Sequence, residues 1–186
     1  MPAPAADETP AQHGRDGFFF RVSVGPSWGT DLMSSDVWPG DSSYSGFGPN
    51  GQLLFGGSVA DGVVIGGGTT WGLVINGPFK FNDSIKVDRT SWFNLWGPFV
   101  NWYPDPNAGL HLEFMVGMSS FEINDSGFTS GGIFGWGLQG GVGYDWWVSE
   151  KWAIGVAGQL QYGNMVKNNV THNVLMPGLL ATFTYY

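Results

Sequence analysis

The sequence predicts an all-β fold, eight antiparallel strands closed into an up-and-down barrel, and three observations lead there. Eight β-rich runs fill the chain from Gly17 onward, at 17–30, 46–60, 62–76, 91–103, 109–123, 131–147, 152–164 and 174–186. The breaks between them alternate long and short, with 31–45, 77–90, 124–130 and 165–173 long and Asp61, 104–108 and 148–151 short. Charge is nearly confined to the breaks. Of 7 Lys/Arg and 15 Asp/Glu residues, only Arg21, Glu113, Glu122 and Asp145 fall inside the runs.

Each run follows from its pattern. In 17–30, Arg21, Ser23 and Gly25 share one face, and Phe20, Val22 and Val24 share the other; this period of two marks a two-faced strand. Runs 46–60 and 62–76 are glycine-rich and meet at Asp61-Gly62, a hairpin dipeptide. Gly66-Gly67-Gly68 has no helix after it and reads as strand rather than as a phosphate loop. Run 91–103 carries bulky residues on both faces, so its inward face is left unassigned. Pro104-Asp105-Pro106-Asn107 ends it, because proline cannot continue a ladder. In 109–123, Leu110, Leu112, Phe114, Val116 and Met118 oppose His111, Glu113, Met115, Gly117 and Ser119. In 131–147, Phe134, Trp136, Leu138, Val142 and Tyr144 oppose a glycine-rich face with Gln139 and Asp145. In 152–164, Trp152, Ile154, Val156, Leu160 and Tyr162 oppose Ala153, Gly155, Ala157, Gln159 and Gln161.

Composition narrows the setting. Among 186 residues there are 31 Gly, 10 Trp and 14 Phe, and only 12% are charged, about half the share of an ordinary soluble domain. No run of 18 apolar residues offers a transmembrane helix. An aromatic content of 16% argues against disorder. Cysteine is absent, which removes disulfide and thiolate chemistry. A net charge of −8 leaves no basic patch for nucleic acid. Residues 1–16 are Pro/Ala-rich without an apolar core; they read as a flexible tail rather than a signal peptide, ahead of a barrel over 17–186. The chain is accordingly expected to be a mature form without its export signal, and deletion of the tail is expected to leave stability nearly unchanged.

Two features turn the barrel into a transmembrane one. Charge on a lipid-facing surface costs about 2–4 kcal/mol for Arg or Lys at mid-depth, and the outward runs avoid it. Aromatic residues cluster at run ends: Trp102, Tyr103, Trp146, Trp152 and Tyr185 toward the short turns, Trp28, Trp92, Phe121 and Tyr162 toward the long loops. Two girdles around an aliphatic band are a membrane-barrel pattern. Short turns are then periplasmic and long loops extracellular.

The closing residues Leu179-Leu180-Ala181-Thr182-Phe183-Thr184-Tyr185-Tyr186 resemble the C-terminal signal of outer-membrane proteins. Gly143-Tyr144-Asp145-Trp146-Trp147-Val148-Ser149, followed by Trp152 to Ala157, is similar to the sixth and seventh strands of small OmpA/OmpX-like barrels. In that phase Tyr185 falls in line with Phe183, Ala181 and Leu179. The resemblance covers 17–186 and implies a bacterial outer-membrane location, with periplasmic chaperones and the barrel-assembly machinery as partners during biogenesis. It implies no activity.

The main polar constellation is Arg21, His111, Glu113, Gln139, Asp145, Gln159 and Gln161. All point inward by phase, and an eight-stranded interior is just wide enough for side chains to fill. Arg21 is expected to cross the lumen to Glu113 or Asp145, because a buried charge requires a partner. Lys80, Lys86 and Arg89 in the second long break are candidate contacts for lipopolysaccharide phosphates. Asp31, Asp36 and Asp41 lack the ligand density of a calcium loop and read as a solvated acidic loop. His172 in the last long break, with Ser119 and Ser120 near the same barrel end, is the one candidate for catalysis, and a solvated loop histidine is the expected reading. The function expected is non-catalytic: a monomeric outer-membrane barrel, structural, surface-active or narrowly conducting, its lumen filled by side chains and without a cofactor, in contact with outer-membrane lipids and lipopolysaccharide. The alternatives are a membrane-embedded lipid A hydrolase or acyltransferase and, further off, a soluble lipocalin-like barrel.

Overall fold

The computed structural model describes residues 14–15, 17–35, 42–81, 84–125, 128–129 and 132–186, and at 76–81, 84–89, 125 and 128–129 the backbone alone. Its strands are β1 (Phe18–Ser35), β2 (Ser42–Ala60), β3 (Val63–Phe81), β4 (Ser84–Trp102), β5 (Leu110–Asp125), the two-residue β6 (Phe128–Thr129), β7 (Ile133–Trp147), β8 (Trp152–Lys167) and β9 (Val170–Tyr185). Every pairing is antiparallel, and the order β4-β3-β2-β1-β9-β8-β7-β5 is closed by β4 on β5. The result is an eight-stranded up-and-down barrel, with β6 a short flap on the far end of β5. Closure removes both sheet edges, so each long strand is paired on both sides within the wall.

The strands reach farther on the loop side than the run lengths predict. Three of the expected long breaks are largely strand: β1 runs on to Ser35, β3 to Phe81 and β5 to Asp125. The fourth, 165–173, is a tight hairpin. Asn168 and Asn169 both have positive φ, 51° and 61°, the signature of a two-residue turn whose twist suits antiparallel strands. Asparagine tolerates that region better than other chiral residues, and here two in succession replace the usual Asn-Gly. On the turn side Gly62 takes φ +70°, and a Cβ there would stand 2.5 Å from the Tyr103 carbonyl oxygen.

Alternation along the strands sorts the side chains. Val22, Val24, Phe55, Ile65, Val100, Leu112, Phe114, Val116, Val142, Ile154, Val156, Leu160, Leu179 and Phe183 face outward, 37–61% exposed all round the barrel. The core is the lumen. Strand β4 has its phase decided by this geometry: Phe93, Leu95, Phe99, Asn101 and Tyr103 are buried inside, while Trp92, Trp96, Val100 and Trp102 face out. Room for these bulky inward residues comes from glycines on other strands. A Cβ at Gly163 of β8 would meet the Phe93 ring at 2.5 Å, and one at Gly137 of β7 would meet Leu95 at 3.1 Å. Gly72 in the third run and Gly29 in the first leave space for Met176 in the same way.

Candidate functional site: the lumen cluster

Arg21 lies on β1 two residues to the loop side of Phe19 and points inward, 1% exposed. Its guanidinium spans the lumen. Nε donates to Thr184 Oγ1 of the neighbouring strand β9 at 2.9 Å. Nη1 donates to Glu113 Oε2 on β5 at 3.1 Å and lies 3.0 Å from His111 Nε2. Nη2 donates to Asp145 Oδ2 on β7 at 2.6 Å and to the Tyr103 hydroxyl at 2.8 Å. One planar fork of donors thus ties four strands across the interior, geometry that a lysine ammonium cannot reproduce.

The carboxylates are saturated in turn. Asp145 Oδ2 also accepts from the hydroxyls of Tyr103 at 3.0 Å and Tyr186 at 2.9 Å, and Oδ1 accepts from Thr182 Oγ1 at 3.2 Å. Glu113 Oε1 accepts from Gln139 Nε2 at 2.8 Å and from Gln52 Nε2. His111 Nδ1 lies 3.2 Å from the Gly109 carbonyl oxygen. The cavity beside this cluster, lined by Gln52, Glu113, Gln139 and Gln159 among others, holds about 10 Å³. That is at most one water's worth of room.

Of the seven polar residues expected to meet, five do so: Arg21, His111, Glu113, Gln139 and Asp145. Gln159 is buried with neither amide atom hydrogen-bonded. Gln161 belongs to a separate contact, donating from Nε2 to Thr70 Oγ1 at 2.6 Å. Sequence reasoning missed Gln52, Tyr103, Thr184 and Tyr186. Gln52, Thr182 and Thr184 were open to discovery by phase. Tyr103 was expected in the outer girdle and is a correction: it is 1% exposed and part of the cluster, because β4's inward face is the odd-numbered one. Phe121, also expected near a girdle, is buried in the lumen, on the odd-numbered inward face of β5 that it shares with His111 and Glu113. The other girdle residues, Trp28, Trp92, Trp102, Trp146, Trp152, Tyr162 and Tyr185, lie on outward faces.

A second polar contact sits toward the loop side. His172, expected in a solvated loop, is on β9 and buried, and its Nδ1 is 2.8 Å from Asp31 Oδ2 on β1. Asp31, expected in a solvated acidic loop, is 2% exposed. Both corrections have one cause: β1 and β9 continue past the expected ends, so inward positions stay inward. The Phe121 ring lies 6.0 Å from the His172 ring. Ser119 Oγ is buried without a hydrogen-bond partner, so it is not paired with His172 as nucleophile to base. Asp36 and Asp41 lie outside the described residues. Lys80, Lys86 and Arg89 stand on β3 and β4, not in a loop, with their side chains outside the described residues. Among the described residues no group of acidic and histidine side chains has metal-site geometry.

No family model matches the chain, and no curated protein matches it in sequence. Solved structures do. Neisserial surface protein A is similar over 89% of this chain and 96% of its own, at 17% identity and a TM-score of 0.50. The outer membrane protein AlkL is similar over 100% of this chain and 95% of its own, at 11% identity and the same TM-score of 0.50. At such identities the likeness concerns the fold. The chain has the fold of the small eight-stranded outer-membrane β-barrels.

Proposed function

We propose that the protein is an integral outer-membrane barrel, monomeric and non-catalytic, whose lumen is a structural plug and whose loop-side hairpins are its working surface. The observation that carries this reading is the Arg21 cluster, a saturated set of charges crossing the whole interior beside a cavity of about 10 Å³. Membrane insertion is supported by the ring of outward aliphatic residues, flanked by Trp102, Trp146, Trp152 and Tyr185 toward the turns and by Trp28, Trp92 and Tyr162 toward the loops. A surface of this kind in water would be an aggregation liability. Bacterial outer membrane is the location this fold and surface support, with chaperones and the assembly machinery as biogenesis partners. Lipid is the expected neighbour, and Lys80, Lys86 and Arg89 on the β3–β4 hairpin are the positions we assign to lipopolysaccharide phosphates.

Planar-bilayer recording of the refolded protein tests the plug. The expected result is no steady ion conductance; stable single-channel steps in the unmodified protein would replace the plug by a pore. A second reading, a lipid-modifying hydrolase, draws on one observation, the His172–Asp31 contact, in which a carboxylate orients an imidazole as a general base requires. Lipid A or phospholipid turnover that disappears in His172→Ala would establish it. Absence of turnover leaves the contact a structural pair.

A further inference from the structure

The sequence places Arg15 in a dispensable tail, yet its side chain is only 7% exposed. Its guanidinium carbon lies 4.0 Å from the ring centroid of Tyr103, 5.2 Å from that of Trp147 and 5.4 Å from that of Tyr186. Three rings contributed by the ends of β4, β7 and β9 therefore surround one cation at the turn-side mouth. Nη1 donates to the Pro106 carbonyl of the β4–β5 turn, and Ser58 Oγ donates to the Arg15 carbonyl. The Ser58 amide donates to the Gly17 carbonyl at 3.0 Å, which carries the β2 edge on to the tail. Nε and Nη2 are buried without an acceptor, so most of this guanidinium is held by ring faces rather than by oxygen.

We infer that the turn-side mouth is an aromatic cage for a guanidinium, occupied in cis by Arg15, and that this contact closes the mouth. The chemistry is self-consistent. The hydroxyls of Tyr103 and Tyr186 both donate to Asp145, which fixes the rings and leaves their electron-rich faces for a cation. The cluster behind them holds two carboxylates, Glu113 and Asp145, on the single Arg21 guanidinium; Arg15 brings a second positive charge to the outside of the two tyrosines. An aliphatic residue would cover the rings without that attraction, and a lysine would lose the planar stack. The inference needs only the folded barrel and does not rest on the function proposed above.

Trypsin reads the docking directly, because it must extract Arg15 to cut after it. In the full-length protein folded in detergent, cleavage after Arg15 should be at least tenfold slower than in the same chain unfolded in urea, with the exposed Lys151 turn as the internal reference. Trp147→Leu should remove several-fold of that protection; if this variant fails to fold, Ser58→Ala, which leaves every ring in place, takes its role. Closure of the mouth is read by a single introduced thiol, since the chain has no cysteine. Ala153 is fully buried on the turn-side end of β8, and Ala153→Cys should react with a small charged methanethiosulfonate at least tenfold faster when Arg15→Ala is added, with Arg15→Lys between the two. Ala157→Cys is the substitute reporter if Ala153→Cys does not fold. Unprotected cleavage after Arg15 in the folded protein would overturn the docking, and equal thiol reactivity with and without Arg15 would overturn the closure.

Discussion

The two halves of the lumen solve the same packing problem with different chemistry. The turn-side half is filled by Arg21, Glu113, Asp145, Gln52, Gln139 and the hydroxyls of Tyr103 and Tyr186, joined into one hydrogen-bonded unit. The loop-side half is packed mainly by Val74, Phe93, Phe121, Ile133, Met165 and Val174, with His172 and Asp31 as a buried polar pair beside the hydroxyl side chains of Ser91, Ser119 and Ser120. An ionic filling is intolerant of losing one member, since what remains is a stranded charge. An apolar filling is intolerant of added volume instead, because its rings interdigitate with glycines. The comparison therefore says which kind of substitution each half resists.

The largest effect is expected in the ionic half. Arg21→Leu strands two carboxylates at once and should destabilise the barrel by about 3–5 kcal/mol, read as a lowered urea midpoint for the folded band on unheated gels. Adding Glu113→Gln should recover only part of the loss, because Asp145 stays uncompensated; Arg21→Leu with both Glu113→Gln and Asp145→Asn should recover more. Equal stability of Arg21→Leu and the unmodified protein would mean that water screens the cluster, and the plug would yield to a pore.

Overpacking should be the next largest effect, and it belongs to the apolar half. Gly163→Ala puts a methyl against the Phe93 ring, 2.5 Å away before relaxation, and should cost about 1–3 kcal/mol. Combining it with Phe93→Leu should cost less than the sum of the two single changes, because the smaller side chain releases the clash. Additive costs would show that the two positions do not compete for the same space.

His172→Ala follows, at about 1–3 kcal/mol, the penalty for leaving buried Asp31 without its partner. Asp31→Asn should be milder, since an amide retains a hydrogen bond to the ring. A larger loss than that of Arg21→Leu would reverse the ranking of the two halves. Smallest of all, Lys151→Ala in the exposed β7–β8 turn should change stability by no more than about 0.5 kcal/mol. A loss comparable to the lumen variants would place an unrecognised ionic contact at that end.

Strand number, antiparallel order and the inward phase of runs 17–30, 109–123, 131–147 and 152–164 were legible because membrane barrels write period-two alternation into each strand. The meeting of Arg21 with Glu113 and Asp145 was legible for the same reason: three inward charges near one end of a narrow barrel must pair. What stayed hidden has specific causes. Run 91–103 shows bulk on both faces because its inward Phe93, Leu95 and Phe99 fill space left by glycines far away in sequence, so no local pattern could separate lumen from exterior. Tyr103 was misplaced for that reason, and Phe121 because its place at a run end was weighed over the odd, inward parity of its own run. Asp31 and His172 were misread because polar residues near a strand end resemble loop, and hairpins that continue beyond an apolar band carry no hydrophobic signal to mark their extent.

By itself, then, the sequence determined that this chain closes into eight antiparallel strands with an apolar exterior, because alternation, turn chemistry and charge avoidance are local or nearly local properties. Only the tertiary structure decided what the barrel holds. Closing the sheet brings Arg21 of β1 against β5 and β7, seats Phe93 on Gly163, joins Asp31 to His172 and sets Arg15 among three rings. Each of these contacts spans about 70 residues or more of chain, and which pairs face each other depends on strand stagger and barrel shear, quantities that exist only once the sheet has closed.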